Sequence, residues 1–346
     1  MDAQTRPHAT LDEVRICLHS SDWPLAIGAH VVSTRPTMTD AIARLRSNVT
    51  KVFLGKPEAV DRVICCLLAR GHVLIEDVPG VGKTVLATAL AKSIDCSFSR
   101  VQLTPDLLPS DVLGVSIYNR DSGEFVFNKG PIFANIILAD EINRTTPRTQ
   151  TALLEAMNEA TVSIDGRSHR LEQPFMVVAT QNPYEFEGTY LLPENQLDRF
   201  LMRTRLGYPD PQVEARVLDL RPASLTLPQL EPVMSKQEVI ELQQAVDEVR
   251  LDETLVNYII ELANATRHHD EILVGLSPRG SLALAQASRA TAILAGRDYV
   301  IPEDIVRNIT AVCAHRLIPR SYAQDGDAMA ADRILTSIVQ TLQSPA

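Results

Sequence analysis

Several features that would place this chain in a common class are missing from it. Its five cysteines (Cys17, Cys65, Cys66, Cys96 and Cys313) show no paired spacing, so neither a disulfide framework nor a zinc-ligand set is written into the sequence. Buried thiols in a reducing, cytoplasmic compartment are the expectation. No apolar run approaches the roughly 20 residues that cross a bilayer, which argues against membrane insertion. Residues 1–9 lack the basic region and apolar stretch of a secretory signal. Positive charge is short as well: 33 Lys and Arg against 43 Asp and Glu leave a net charge of −10. That balance speaks against tight, non-specific nucleic-acid binding, although a local basic patch stays open. His268-His269 reads as a solvated helix end, because no third or fourth ligand stands nearby. Hydrophobic residues are ample at 45% of the chain, and 346 residues exceed one typical core, so two domains are expected.

What is present is Gly80-Val81-Gly82-Lys83-Thr84, immediately after the apolar run Val73-Leu74-Ile75. A strand, a glycine turn and a Lys-Thr pair opening a helix form a cradle for a nucleotide triphosphate. Backbone N–H groups wrap the phosphates, Lys83 reaches the terminal ones, and Thr84 offers a hydroxyl to Mg²⁺. The helix N-terminus adds its positive end. The full pattern has glycine where this chain has Asp77. Leu86, Leu90 and Ile94 follow at i, i+4 and i+8, as a buried helix requires.

A second signature is Ile136-Ile137-Leu138-Ala139-Asp140-Glu141, whose Asp140 stands 57 residues after Lys83. A continuous apolar run suits a strand buried on both faces of a parallel sheet. Carboxylates at its end would point into the crevice where such sheets bind ligands. Asp140 would hold Mg²⁺ through water and Glu141 would act as general base on the attacking water. The rest of the chain fits around these two. Helices are expected over 38–54 and 57–69. Val115-Ser116-Ile117-Tyr118 and Glu124-Phe125-Val126-Phe127 read as a hairpin with a five-residue loop, 119–123. Thr146-Pro147 opens a helix, and Asp165-Gly166 is the two-residue turn of a second hairpin. Phe175 to Thr180 reads as another doubly buried strand, ending in Gln181-Asn182. After Arg205 the pattern changes: 207–211 looks like a boundary, 221–232 like a loop, and helices follow over 237–249, 253–268, 278–295, 302–315 and 330–342.

These pieces resemble the MoxR-type AAA+ ATPase family. The matching segments include Glu76-Asp77-Val78-Pro79-Gly80-Val81-Gly82-Lys83-Thr84, Leu138-Ala139-Asp140-Glu141-Ile142-Asn143-Arg144 and Ala179-Thr180-Gln181-Asn182-Pro183. Leu192-Pro193-Glu194-Asn195-Gln196-Leu197-Asp198-Arg199-Phe200, Ser277-Pro278-Arg279-Gly280 and Gly296-Arg297-Asp298-Tyr299-Val300 follow in the same order. The resemblance covers residues 38–346 and implies an α/β fold: a P-loop parallel-sheet domain with β-hairpin insertions over 38–206, then a linker and small helical lid domain over 207–346. Residues 1–37 read as a partly disordered extension, with Val14-Arg15-Ile16-Cys17-Leu18 as one ordered element.

The resemblance also implies roles. ATP and Mg²⁺ are the expected ligands, held by Pro79, Gly80, Val81, Gly82, Lys83, Thr84 and Val85, with Thr84 and Asp140 on the metal. Asn182 matches the first sensor, or merely caps the turn before Pro183. Arg199 matches the arginine finger that enters a neighbour's site; the alternative is an ion pair with Asp198 or Glu194, with Arg203 as second candidate for the finger. Arg279 matches the second sensor, serving its own or a neighbouring nucleotide. Gly55, with the Phe53-Leu54 backbone, lies against the adenine or is a plain helix breaker. The hairpins either touch whatever is remodelled or pack between subunits. The implied function is an ATP-hydrolysing, chaperone-like remodelling factor in a homo-oligomeric ring, a hexamer, working with a von Willebrand factor A domain partner. A nucleic-acid motor with a basic pore hairpin (Arg167, His169, Arg170), a magnesium-chelatase-type subunit and a nucleotide-switched scaffold are the rivals.

Overall fold

Helix begins earlier than the apolar spacing suggests. The computed structural model describes residues 34–182, 189–190, 192–321 and 329–343, so the expected extension lies outside it except for residues 34–37, and the expected element at 14–18 lies wholly outside. Helix α1 runs Thr34–Thr50, with Pro36 in the first turn, where a missing N–H breaks no intrahelical bond. Its Ile42, Leu45 and Val49 are buried, as their spacing on one face requires. Helix α2 (Pro57–Leu68) also opens on proline. Strand β1 (Val73–Glu76) is buried throughout and leads through the glycine loop into α3 (Lys83–Ser93). Next come β2 (Phe98–Gln102), α4 (Pro109–Leu113) and the hairpin β3 (Gly114–Asn119) with β4 (Glu124–Lys129). Asn119 pairs with Glu124, so the loop of that hairpin has four residues, 120–123, rather than five. Strand β5 (Ile136–Asp140) and helix α5 (Pro147–Glu159) precede the second hairpin, β6 (Thr161–Ile164) with β7 (Arg167–Arg170). Asp165 and Gly166 turn it with φ of 51° and 72°, the paired left-handed conformations of a type I′ turn. Strand β8 (Met176–Gln181), the short α6 (Glu194–Leu197) and β9 (Met202–Thr204) complete this part.

The five long-range strands form one parallel sheet in the order β2-β5-β8-β1-β9. Both faces are covered, which is why β1, β5 and β8 read as unbroken apolar runs. Val73, Ile75, Ile136, Leu138, Met176 and Val178 face a core shared with α1, α2 and α3. Leu74, Ile137, Ala139, Val177 and Ala179 face the other, which holds Leu153 and Met157 of α5. Each of the Val, Leu, Ile and Met side chains contributes about 1.5–3 kcal/mol by leaving water.

Beyond β9 come α7 (Pro211–Leu220) and α8 (Pro222–Leu225); the stretch expected as loop thus carries α8 and a 3₁₀ turn, Leu227–Gln229. Among the described residues five helices follow: α9 (Lys236–Glu248), α10 (Glu253–Arg267), α11 (Pro278–Leu294), α12 (Pro302–Cys313) and α13 (Ala330–Thr341). Their starts are written in the sequence. Ser235 and Glu238 form a reciprocal capping box on α9, Asp252 caps α10 through the Thr254 N–H, and Ser277 caps α11 through the Gly280 N–H. A two-stranded antiparallel ribbon, β10 (Ile272–Val274) with β11 (Ile318–Pro319), interrupts the otherwise helical region. The helices dock on α2: Gln243 Nε2 donates to the Leu67 carbonyl at 2.8 Å, and Cys65 Sγ lies 3.4 Å from the Ala287 carbonyl. Arg35–Ala346 is one compact unit. Among the described residues no helix is long and apolar enough to cross a membrane.

Candidate active site

All carboxyl ends of a parallel sheet fall on one edge, and there β1 turns into the glycine loop. Gly80 and Gly82 adopt φ of 86° and 95°, left-handed conformations that cost a side-chain-bearing residue dearly. A Cβ on Gly82 would stand 3.1 Å from the Phe53 ring, whereas Gly80 faces open space that a ligand can approach. The loop borders a cavity of about 310 Å³. Pro79, Gly80, Gly82, Lys83, Thr84 and Val85 line it, and so do Asp140, Glu141 and Asn182 from β5 and β8. Val81 instead packs against the core, and Gly55 lies against Val213, where an added Cβ would come within 2.5 Å of that side chain. A helix start with free N–H groups, a lysine, a hydroxyl and two carboxylates in one cavity fit a triphosphate with Mg²⁺.

The acidic pair is fixed by its neighbours. Thr180 donates its hydroxyl to Asp140 Oδ1 at 2.6 Å and accepts the Glu141 N–H at 2.9 Å. Arg100 on β2 reaches Asp140 Oδ2 at 2.6 Å, and Gln102 on the same strand donates to Glu141 Oε2 at 2.6 Å. Arg144 lies 3.5 Å from that oxygen as well. Glu141 has φ 58° and ψ 54°, an uncommon conformation for a residue with a side chain. Lys83 Nζ donates to the Asp77 carbonyl at 2.6 Å.

Asp77, the departure from the full glycine pattern, has its own work. Its Oδ2 accepts the Leu206 and Gly207 N–H groups at 2.7 and 2.6 Å, and its Oδ1 accepts the Val78 N–H at 2.9 Å. The carboxylate therefore ties the glycine loop to the segment that leaves the sheet for α7.

Arg199 and Arg279 are elsewhere. They line a second pocket with Arg70, Gly71 and Asn158. Gly71 precedes β1 and Arg199 precedes β9, so this pocket lies at the amino edge of the sheet. Six residue steps along β1 and its flanks carry the chain from Gly71 to Asp77, roughly 20 Å at about 3.3 Å per step. Arg199 NH1 donates to the Leu154 carbonyl at 2.6 Å, and its buried Nε has no acceptor among the described residues. The ion pair considered for Arg199 is made by others: Asp198 binds Arg316 at 2.8 Å and Arg279 at 3.5 Å. Arg279 also donates to Asn158 Oδ1 at 2.8 Å. Arg316 is buried, which lowers its pKa against the pull of Asp198, and it donates to the carbonyls of Phe200 and Leu201. It thereby holds the turn that carries Arg199. Arg203 is committed within the chain, 3.4 Å from Glu76 and 3.2 Å from Asp332.

Arg100, Gln102 and Arg316 escaped the sequence reading, which names Asp77 and Thr180 without giving either a task. Phe98-Ser99-Arg100-Val101-Gln102 has no apolar run, and a burial pattern open to solvent on one side hides it as a strand.

Five parallel strands in this order, a glycine loop after β1, an acidic pair after β5 and a helical region behind them define a P-loop ATPase of the AAA+ class. The family described as ATPases associated with various cellular activities matches residues 72–202, and the AAA lid domain matches 264–338. The chain is 50% identical over 298 residues to the uncharacterized protein YeaC of Bacillus subtilis, covering 86% of this chain and 93% of that one. It is 39% identical over 306 residues to Chaperone MoxR1 of Mycobacterium tuberculosis, covering 86% and 80%. The crystal structure of a protein described as an ATPase from Cytophaga hutchinsonii superposes with a TM-score of 0.82 at 38% identity, covering 90% of this chain and 97% of that one. The chain belongs to the MoxR-type AAA+ ATPase family.

Proposed function

We propose that this protein hydrolyses ATP to ADP and phosphate at sites shared between neighbouring copies in a homo-oligomeric ring, and that the cycle remodels other proteins during their maturation or assembly. The observation that carries the reading is the separation of the two pockets. Lys83, Thr84, Asp140, Glu141 and Asn182 meet at the carboxyl edge, while Arg199 and Arg279 meet at the amino edge, beyond reach of this chain's own glycine loop. Both arginines therefore serve a neighbour's nucleotide.

Each residue has a task in that scheme. The α3 N-terminus and Lys83 would hold the phosphates, and Thr84 directly and Asp140 through water would hold Mg²⁺, which would supply charge neutralisation on the phosphate oxygens. Glu141 takes a proton from the attacking water, and Asn182 orients that water. Arg199 leaves the Leu154 carbonyl to meet transition-state charge across the interface. Arg279 leaves Asp198 and Asn158 in the same event, which couples the helical region to the neighbour's nucleotide state.

A protein client is favoured over nucleic acid by the first hairpin, which exposes Ile117, Tyr118, Phe125 and Val126 and balances its exposed Arg120 and Lys129 with Asp121 and Glu124. Six subunits and a von Willebrand factor A domain partner rest on the family resemblance alone. A cytoplasmic setting fits the four described cysteines, all free thiols. The test is the Mg-ATPase rate per subunit against protein concentration, for wild type and Arg199→Ala. The rate should rise with concentration and fall about 10³-fold in the variant. A rate independent of both would remove the shared site.

A further inference from the structure

Strand β2 is an edge of the sheet, and the Arg100 side chain on it has one bonding partner among the described residues, Asp140. Gln102 stands opposite Asp140 in the parallel register, and Arg100, two residues earlier, shares its face of the strand. From there Arg100 NH2 reaches Asp140 Oδ2 at 2.6 Å, while Thr180 donates to Oδ1 at 2.6 Å. The carboxylate is thus held at both oxygens, one from each strand that flanks β5. Arg100 acts from outside the site. Asp140 lines the nucleotide cavity and Arg100 does not, and its side chain is 51% exposed against 11% for Asp140.

We infer that Arg100 is a positioning residue for Mg²⁺: it fixes the carboxylate that would hold the ion, and touches neither ion nor nucleotide itself. The inference rests on the nucleotide-site reading above. Two effects of the guanidinium oppose each other. Its positive charge weakens the pull of Asp140 on a cation, but a half-exposed ion pair is screened and contributes about fivefold at most. Its hydrogen bond holds the carboxylate in one orientation, and loss of such an outer partner costs roughly 10–100-fold in metal affinity. Asp140 would act through water, so the lower end of that range applies. Orientation still outweighs repulsion, and removing Arg100 weakens the hold on Mg²⁺.

The test follows binding of a fluorescent, non-hydrolysable ATP analogue to full-length wild type, Arg100→Met and Arg100→Lys, titrated with Mg²⁺ and repeated in EDTA. Methionine keeps an unbranched chain and loses the donors and the charge. The position is half exposed, so the variant should fold, and its urea midpoint checks that. The Mg²⁺ concentration at half-maximal binding should rise about tenfold in Arg100→Met and recover in part in Arg100→Lys, which keeps a donor. Affinity in EDTA should stay at the wild-type value. An unchanged half-saturation point would overturn the inference, and so would a lower one, because Arg100 would then compete with the ion. A loss of affinity equal with and without Mg²⁺ would overturn it as well, since a structural defect weakens both. Wild-type binding that ignores Mg²⁺, or that survives Lys83→Ala, would remove the nucleotide-site reading itself.

Discussion

Replacing Asp77 by glycine would complete the general P-loop pattern, yet it should destabilise this protein by about 3 kcal/mol. The backbone at residue 77 is not left-handed, so glycine's freedom has no use there and weakens the position by roughly 0.5–1 kcal/mol. The larger loss is the carboxylate, which accepts three N–H groups at 2.9, 2.7 and 2.6 Å. Hydrogen bonds to a charged group contribute roughly 1.5–3 kcal/mol each, and a buried donor left without an acceptor costs about 1–3. Val78 and Gly207 are half-buried, so water can replace the carboxylate there; Leu206 is buried, and its N–H would stay unpaired. One full penalty, two partial ones and the glycine term give the sum. Urea unfolding at neutral pH measures it directly, with Asp77→Asn expected to lie between the two because an amide oxygen can still accept. A glycine variant that unfolds at or above the wild-type midpoint would refute the clamp and return Asp77 to an incidental substitution.

Glu141→Gln should bind ATP with wild-type affinity and lose hydrolysis, measured by nucleotide binding beside phosphate release; sustained turnover would take the base role from Glu141. Buried His72 should make stability fall in acid. Its Nδ1 accepts the Val177 N–H at 3.0 Å, so Nε2 carries the proton donated to the Met157 carbonyl at 3.0 Å, and burial drags the pKa from 6.5 to about 4. A depressed histidine is neutral in the folded chain and charges on unfolding, so its contribution is complete above pH 6.5 and is lost between 6.5 and about 4. At about 1.36 kcal/mol per pKa unit the loss approaches roughly 3 kcal/mol. His72→Gln, which can keep one of the two bonds, should flatten the pH dependence of the urea midpoint over that range; an unchanged slope would assign it to other groups, such as buried His315, whose pKa is also lowered.

The legible parts of the sequence were those in which one physical demand dominates. Strands β1, β5 and β8 are buried on both faces and so read as apolar runs, and the left-handed turn at Asp165-Gly166 is stated by its residue types. Strand β2 carries Arg100 and Gln102 to the acidic pair, yet its one open side breaks the pattern that reveals its neighbours. Helix α1 starts at Thr34, four residues before the apolar spacing announces it, because a proline in the first turn breaks no intrahelical bond. Where Arg199 and Arg279 sit was beyond the sequence, since only the parallel direction of β1 and β9 separates amino edge from carboxyl edge. The partner of Asp198 was equally hidden: Arg316 lies 118 residues away and reaches it through the packing of the helical region.

The shared site is tested most directly by mixing two inactive chains. Glu141→Gln keeps its arginines and lacks the base, while Arg199→Ala keeps the base and lacks the finger. Assembled together in equal amounts, about a quarter of sites would pair an intact base with a neighbour's intact finger in a head-to-tail ring. The Mg-ATPase rate of the mixture should therefore climb to about a quarter of wild type, far above either variant alone. A mixture that stays at the mean of the two inactive chains would contradict catalysis across the interface.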